Sequence, residues 1–376
     1  MHHNKTIPLH THIPQLDGLR GLAILLVICY HYFPHIVIFN IGWSGVDLFF
    51  VLSGFLISSR ILPYLGDKKL LLKFYRNRVL RIIPLYYAFL VLFFLGWFFL
   101  TSKETLASGS FFAVHWWQFF LFTQNWVFIQ NIAEVKVNLM HLWSVAIEEQ
   151  FYLIFPLLVI LVKNREKLFI GALTILITII ALRCLYFRYG LLEQTPDKIY
   201  WNSFFRLDSF IIGFLLYLFL SAKELKRGMQ RLYTILFWIA FGSTITGIFI
   251  FKNARLDNPY FAYIGLTALA IIYSYLLYFC IYNKDSFFGR FTVSRFLTFT
   301  GKISYGIYIF HWPLFFAGFA MINKLKAKLG FTLGETGTEY LNAFLCIALT
   351  YLISYLSYKY YESFFLKHKV KYTQKA

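Results

Sequence analysis

The chain has 376 residues, 59% hydrophobic and 22% aromatic, with only 14% charged and a mean hydropathy of +0.62. Soluble domains average about 25% charged residues, so a pair of soluble domains is excluded and an all-α polytopic membrane bundle is expected. The formal charge of +19 raises nucleic acid as a partner, and the placement of the charges argues against it.

Ten apolar spans follow one another at residues 16–39, 43–62, 80–100, 142–162, 168–187, 203–220, 232–251, 261–282, 303–322 and 340–365. With the N-terminus inside, the cytoplasmic connections carry 25 of the 36 Lys and Arg and the outer ones 11. That bias puts both termini in the cytoplasm and makes membrane lipid, not nucleic acid, the partner of the basic excess. The expected organisation is a short cytoplasmic tail (1–15), one transmembrane domain (16–366) and a basic tail (367–376). The first apolar run follows Arg20 without a small-residue cleavage site and is read as a retained helix of a multi-pass inner-membrane protein. Cys29, Cys184, Cys280 and Cys346 are scattered in or beside the spans with no CxxC pair, and read as small apolar residues. Of the connections, 60–81 is strongly basic and amphipathic. The outer 101–141 is the longest, and its AVHWWQFFLF stretch reads as an aromatic helix in the membrane interface.

Ionisable groups inside spans are costly and mark function or a paired partner. The first span supplies Asp17, Arg20 and His31 in LDGLRGLAILLVICYH. Arg20 and His31 are eleven positions apart, about three turns, and share a helix face. Snorkelling accounts for Arg20, whereas an imidazole this deep favours a functional reading. The second span carries Asp47 and Ser53, with Gly45 and Gly54 suited to close helix approach. At the inner end of the third, RNRVLR places Arg78 and Arg81 on one face. They suit anionic lipid and a phosphorylated cytosolic ligand equally.

The fourth span opens HLWSVAIEEQFYLIFP, with Glu148 and Glu149 about 100° apart, so at most one faces a shared cavity. The sixth brings Arg206 and Asp208. The ninth, GKISYGIYIFHWPLF, sets Ser304 and His311 on one face with Pro313 bending the helix; interhelical hydrogen bonding is the plainer role for Ser304, Tyr305 and Tyr308. A metal site is not expected. His31 and His35 have helical spacing, but Pro34 intervenes and no compact ligand set completes a shell, while His2, His3, His10 and His12 sit in the tail. Phosphate-loop, GxSxG and HExxH motifs are missing.

Together, LDGLRGLAILLVICYH, GVDLFFVLSGFLIS, RNRVLRIIPLYY, LWSVAIEEQFYLIFP, FRLDSFIIG and ISYGIYIFHWP resemble, in order, the membrane-bound acyltransferase-3 family, bacterial O-acetyltransferases of surface polysaccharides (lipopolysaccharide O-antigen among them) and antibiotics. The resemblance maps the family's paired Arg and His onto Arg20 and His31, its RxxR onto Arg78 and Arg81, and its WSxxxEE element onto Trp143, Ser144, Glu148 and Glu149. It implies acetyl-CoA, or another short acyl-CoA, as donor substrate and a hydroxyl of a surface or lipid-linked carbohydrate as acceptor. On that reading Arg78, Arg81 and Arg20 hold the phosphates, His31 is the general base and Glu148 orients its imidazole. Ser53, Tyr305 or His311 donate to the oxyanion, and Asp47, Glu149, Arg206, Asp208 and Ser304 line the substrate path. Some relatives carry a fused extracellular esterase-like domain, which is not expected here. Acylation of a macrolide-like metabolite, a glycan-precursor transporter and a membrane scaffold are the alternatives. The transporter lacks paired broken helices, and the scaffold leaves His31, Glu148 and His311 without a purpose.

Overall fold

A computed structural model describes residues 13–64, 67–101, 111–131, 139–189, 196–221, 227–330 and 334–370. Among the described residues the regular elements are all helical. In chain order they are α1 (Pro14–Tyr32), α2 (Gly45–Ile61), α3 (Lys68–Leu100), α4 (Phe111–Phe120), α5 (Gln124–Gln130), α6 (Trp143–Val162), α7 (Arg165–Arg188), α8 (Pro196–Tyr200), α9 (Leu207–Leu220), α10 (Arg227–Phe251), α11 (Leu266–Tyr282), α12 (Phe287–Thr292), α13 (Arg295–Leu329) and α14 (Glu335–Leu356). A π turn at Phe261–Gly265 leads into α11, and another at Ser357–Glu362 carries α14 on to Leu366. Eight stretches among the described residues are long and apolar enough to cross a membrane: Val37–Tyr64, Lys69–Leu100, Met140–Val162, Arg165–Arg188, Gly228–Phe251, Phe261–Tyr282, Arg295–Leu329 and Glu335–Leu366. The chain is a polytopic membrane protein.

The other two expected spans are helical but shorter. The first ends at Tyr32, because Pro34 has no N–H to continue the ladder and disfavours helical dihedrals at Phe33. The chain then runs as a 3-10 helix from Val37 to Ser44. The sixth begins only at Leu207, and its 14 residues make about 21 Å of helix, short of the ~30 Å hydrocarbon layer. Most of α9 is buried in protein rather than facing lipid. The basic 60–81 connection is also largely helix, since α3 starts at Lys68 and contains RNRVLR. The tail with its four histidines, residues 102–110 and 132–138 of the long outer connection, 190–195, 222–226 and the end of the basic tail from 371 on lie outside the described residues.

The chain divides into two compact units. The first comprises Met1–Val27, Asn40–Lys68 and Phe151–Lys302. Its helices meet backbone to backbone: a side chain at Gly54 would run into the carbonyl of Phe210, and one at Gly213 into that of Val51. Small residues at such a crossing allow the van der Waals contact that drives association in lipid, where no hydrophobic force acts between helices. Stacked rings of Phe50, Phe210 and Phe151 continue the packing of α2, α9 and the end of α6.

The second unit comprises Ile28–Phe39, Lys69–Gln150 and Ile303–Ala376. Here α4 is amphipathic, with Phe111, Phe112 and Phe119 buried and Trp116 and Trp117 exposed, as an interfacial helix requires. Tyr86 and Tyr87 of α3 donate to the carbonyls of Phe119 and Phe120 in the last turn of α4, where helical carbonyls lack i+4 partners. At the basic end of α3, Asn77 exchanges two hydrogen bonds with the backbone of Val370 (2.9 and 2.8 Å), and Arg76 donates to the carbonyl of His368.

Candidate active site

The ninth expected span supplies the frame for the second unit's polar interior. Tyr305, Tyr308 and His311 recur every three residues along α13, so a continuous polar stripe runs down one side of the helix. Pro313 lacks the N–H that would close the helical bond to Ile309. The Nε2–H of His141 donates to that carbonyl at 3.2 Å, which leaves His141 Nδ1 buried, unprotonated and without a partner among the described residues. Tyr308 donates to the carbonyl of His141 (2.7 Å) and accepts from Ser144 (2.5 Å), fixing the residues before α6 against α13.

His31 sits in the last turn of α1. Its Nδ1 lies 3.1 Å from Nε2 of His311, and Nδ1 of His311 lies 2.7 Å from the carbonyl of Tyr308. These distances assign the protons. A carbonyl only accepts, so His311 carries its proton on Nδ1, and its neutral ring can only accept at Nε2. His31 therefore donates from Nδ1 and keeps a lone pair at Nε2. That nitrogen has no hydrogen-bond partner among the described residues, and His31 as a whole residue is half-buried. Tyr32, the next residue, donates to the carbonyl of His311 at 2.6 Å and ties the end of α1 to α13 just before Pro313. The partner on His31 Nδ1 is thus a second imidazole, where the sequence led us to expect the carboxylate of Glu148.

The two adjacent carboxylates lie further along α6. Glu149 is half-buried, its buried Oε1 has no hydrogen-bond partner among the described residues, and Arg78 and Glu148 are within electrostatic reach. Glu148 lies within electrostatic reach of Tyr308. Arg78 packs over the ring of Phe74 (5.7 Å), and Arg81 lies within electrostatic reach of Glu362. Both arginines are half-buried near the basic end of α3, suited to a polyanion arriving from that end. Tyr305 donates to the carbonyl of Ile82 at 3.1 Å, so its proton is committed. Ser304 is buried on the same helix. His35 pairs with Glu339 at 2.9 Å on the surface. Among the described residues, no group of three His, Cys, Asp or Glu has the geometry of a metal site.

The remaining expected site residues belong to the first unit. Asp47 and Arg206, both fully buried, meet at 2.5 Å, and Ser209 donates to the same Asp47 oxygen at 3.1 Å. The Arg206 guanidinium lies over the rings of Tyr200 (4.8 Å) and Phe50 (5.5 Å). Asp208 pairs with Arg183 at 3.0 Å and accepts from Thr267 at 2.7 Å. Sequence reading passed over Arg183 because the charge tally placed it and Arg206 in outer connections; both are at zero exposure, so the positive-inside asymmetry is larger than counted. The available signal was an arginine inside an apolar run, ALRC. Ser53 is bonded to the hydroxyl of Tyr152 at 2.8 Å, and Arg20 lies 3.7 Å from Asp17. His141, by contrast, stands just ahead of a helix where no periodicity marks it.

A helical membrane protein with imidazoles in its interior and an arginine pair at one end of its third helix has the parts of a membrane acyltransferase. Comparison with known sequences agrees: the acyltransferase domain of the acyltransferase-3 family matches residues 13–359, and the chain belongs to that family. YrhL of Bacillus subtilis (strain 168), named for peptidoglycan O-acetylation, is 30% identical over 330 residues, covering 81% of this chain and 49% of the relative. A protein of Staphylococcus aureus (strain COL) named as an O-acetyltransferase is 27% identical over 373 residues (96% and 58%). The O-acetyltransferase OatA of Staphylococcus aureus (strain NCTC 8325 / PS 47) is 29% identical over 324 residues (81% and 50%). The chain thus spans about half the length of the curated relatives it matches. No solved structure matches it.

Proposed function

We propose that this chain transfers an acetyl group from cytosolic acetyl-CoA to a hydroxyl of a cell-envelope glycan at the plasma membrane, with His31 as the general base. The observation that carries this reading is the bond from His31 Nδ1 to His311, which leaves an unprotonated Nε2 on a half-buried residue. A sugar hydroxyl is a poor nucleophile at neutral pH, and a positioned base is worth about 10²–10⁴-fold. As the hydroxyl oxygen forms its bond to the thioester carbon, its proton passes to His31 Nε2. The C–S bond then breaks, and the departing thiolate takes that proton to leave as CoA. His311 holds the ring in one tautomer throughout and supports the imidazolium by accepting from Nδ1.

Arg78 and Arg81 supply the cations that the donor's phosphates require, in fork geometry suited to phosphate oxygens. YrhL, a relative named for peptidoglycan O-acetylation, favours a cell-wall glycan as the acceptor over lipopolysaccharide O-antigen. The test is mass spectrometry of envelope glycan from a deletion strain complemented with wild type or with His31→Ala. Loss of one acetyl mass from the glycan, restored by wild type alone, is expected. Restoration by His31→Ala would exclude His31 as the base.

A further inference from the structure

Trp312 follows His311 on α13, and its ring centroid lies 4.4 Å from that of His31 at an interplanar angle of 53°. The indole stacks on Phe315 (6.4 Å, 13°) and takes the edge of Phe316 at 5.0 Å, which fixes its orientation. Its Nε1 is buried and has no hydrogen-bond partner among the described residues. An indole nitrogen only donates, and proteins rarely bury such a donor unpaired without a use for it. Trp43 shows the ordinary arrangement, its Nε1 donating to the carbonyl of Ala254 at 3.0 Å. The same accounting in the second unit leaves the hydroxyl of Ser354 unpaired, but that group lies against Gly306, five residues before His311. The indole is the unpaired donor whose ring meets the proposed base.

We propose that Trp312 is a catalytic residue for acyl transfer, its Nε1–H donating to the carbonyl oxygen of the acetyl group as negative charge gathers there. The assignment rests on the reading of His31 as the base. When the acceptor oxygen bonds to the thioester carbon, the carbonyl π pair moves onto oxygen; when the C–S bond breaks, that pair returns. Trp312 gains and loses no proton in either step. His141 cannot fill this role, because the open atom on its ring, Nδ1, is an acceptor and would repel an oxyanion. Nor can Tyr305 or Tyr308, whose protons are committed to the carbonyls of Ile82 and His141.

The test uses the full chain in lipid nanodiscs, with acetyl-CoA as donor and cell-wall glycan fragments as acceptor, following release of the CoA thiol and the acetylated fragment. Two replacements are compared: Trp312→Phe, and Trp312 replaced by 3-benzothienylalanine, which keeps the ring's shape and puts sulfur in place of N–H. Both should lower kcat about 10²–10³-fold, the cost of losing one oxyanion donor. KM for acetyl-CoA should stay within about threefold and the melting temperature should be unchanged for the benzothienyl protein. Full activity in the benzothienyl protein would overturn the assignment, even with Trp312→Phe impaired, since shape alone would then suffice. Undiminished transfer by His31→Ala would overturn the base reading and this assignment together; wild-type transfer that needs His31 but tolerates the benzothienyl ring would overturn this assignment alone.

Discussion

The two units bury polar groups in opposite ways. In the first, two guanidinium groups meet two carboxylates, Arg206 with Asp47 and Arg183 with Asp208, so the set is neutral and every member is at zero exposure. Some of its N–H groups have no hydrogen-bond partner among the described residues, and the Arg206 guanidinium lies over two aromatic rings. In the second, His31, His311 and His141 gather without a carboxylate in hydrogen-bond contact among the described residues. Their line of donors and acceptors starts at a backbone carbonyl and ends in a lone pair on a half-buried residue. The first arrangement closes on itself and suits a role in holding α2, α7, α9 and α11 together. The second leaves an open nitrogen, which is what proton transfer requires. Intramembrane charge by itself therefore does not locate chemistry; the informative feature is whether every member of the set is paired or one atom keeps an open valence.

Substitutions can break this contrast. The largest effect on folding should come from Arg206→Ala or Asp47→Ala, each of which strands a buried charge at a cost of about 3–5 kcal/mol; melting in detergent should show it, with yield falling in parallel. A melting temperature unchanged by either would mean the network contributes nothing to the fold. His31→Ala should leave the melting temperature within a few degrees yet lower acetyl transfer about 10²–10⁴-fold. This is the reverse pattern, and equal losses of stability and activity would erase the distinction. His311→Gln keeps an amide oxygen able to accept from His31 and should retain about a tenth of the activity, whereas His311→Leu should lose about 10²-fold at unchanged KM; that split separates fixing a tautomer from filling space. Arg78→Lys combined with Arg81→Lys preserves charge but removes the fork and should raise KM for acetyl-CoA about tenfold while sparing kcat. The smallest change belongs to the surface pair: Glu339→Gln should alter stability by less than about 1 kcal/mol and leave transfer intact.

Much of the architecture could be read before any coordinates. Sparse charge and recurrent apolar runs identified a polytopic helical protein, and every expected span contains a helix. The departures are two: Pro34 stops α1, and α9 is a short helix mostly buried in protein. Within the site, His31 and His311 stood out as imidazoles in apolar helices, and their separate elements meet at 3.1 Å. Three residues went unrecognised. His141 precedes its helix, Arg183 of the first unit's buried ion pairs was absorbed into a loop count, and Trp312, which we propose as a donor, looks like any other aromatic residue in a chain with 22% of them. The expected partner for His31 was Glu148, because adjacent carboxylates attract notice; nothing in the pattern signalled that Pro313 would free the Ile309 carbonyl and draw in His141.

By itself, then, the order of residues determined the solvent this chain lives in, the approximate places of its apolar helices, and the family to which its motifs point. Those properties follow from composition, periodicity and charge asymmetry, all of which are local or summed along the chain. Only the tertiary structure decided which buried groups satisfy one another and which keep an open valence. A hydrogen bond depends on atoms brought within about 3 Å from helices hundreds of residues apart, and helical periodicity carries no record of the partner a side chain will meet.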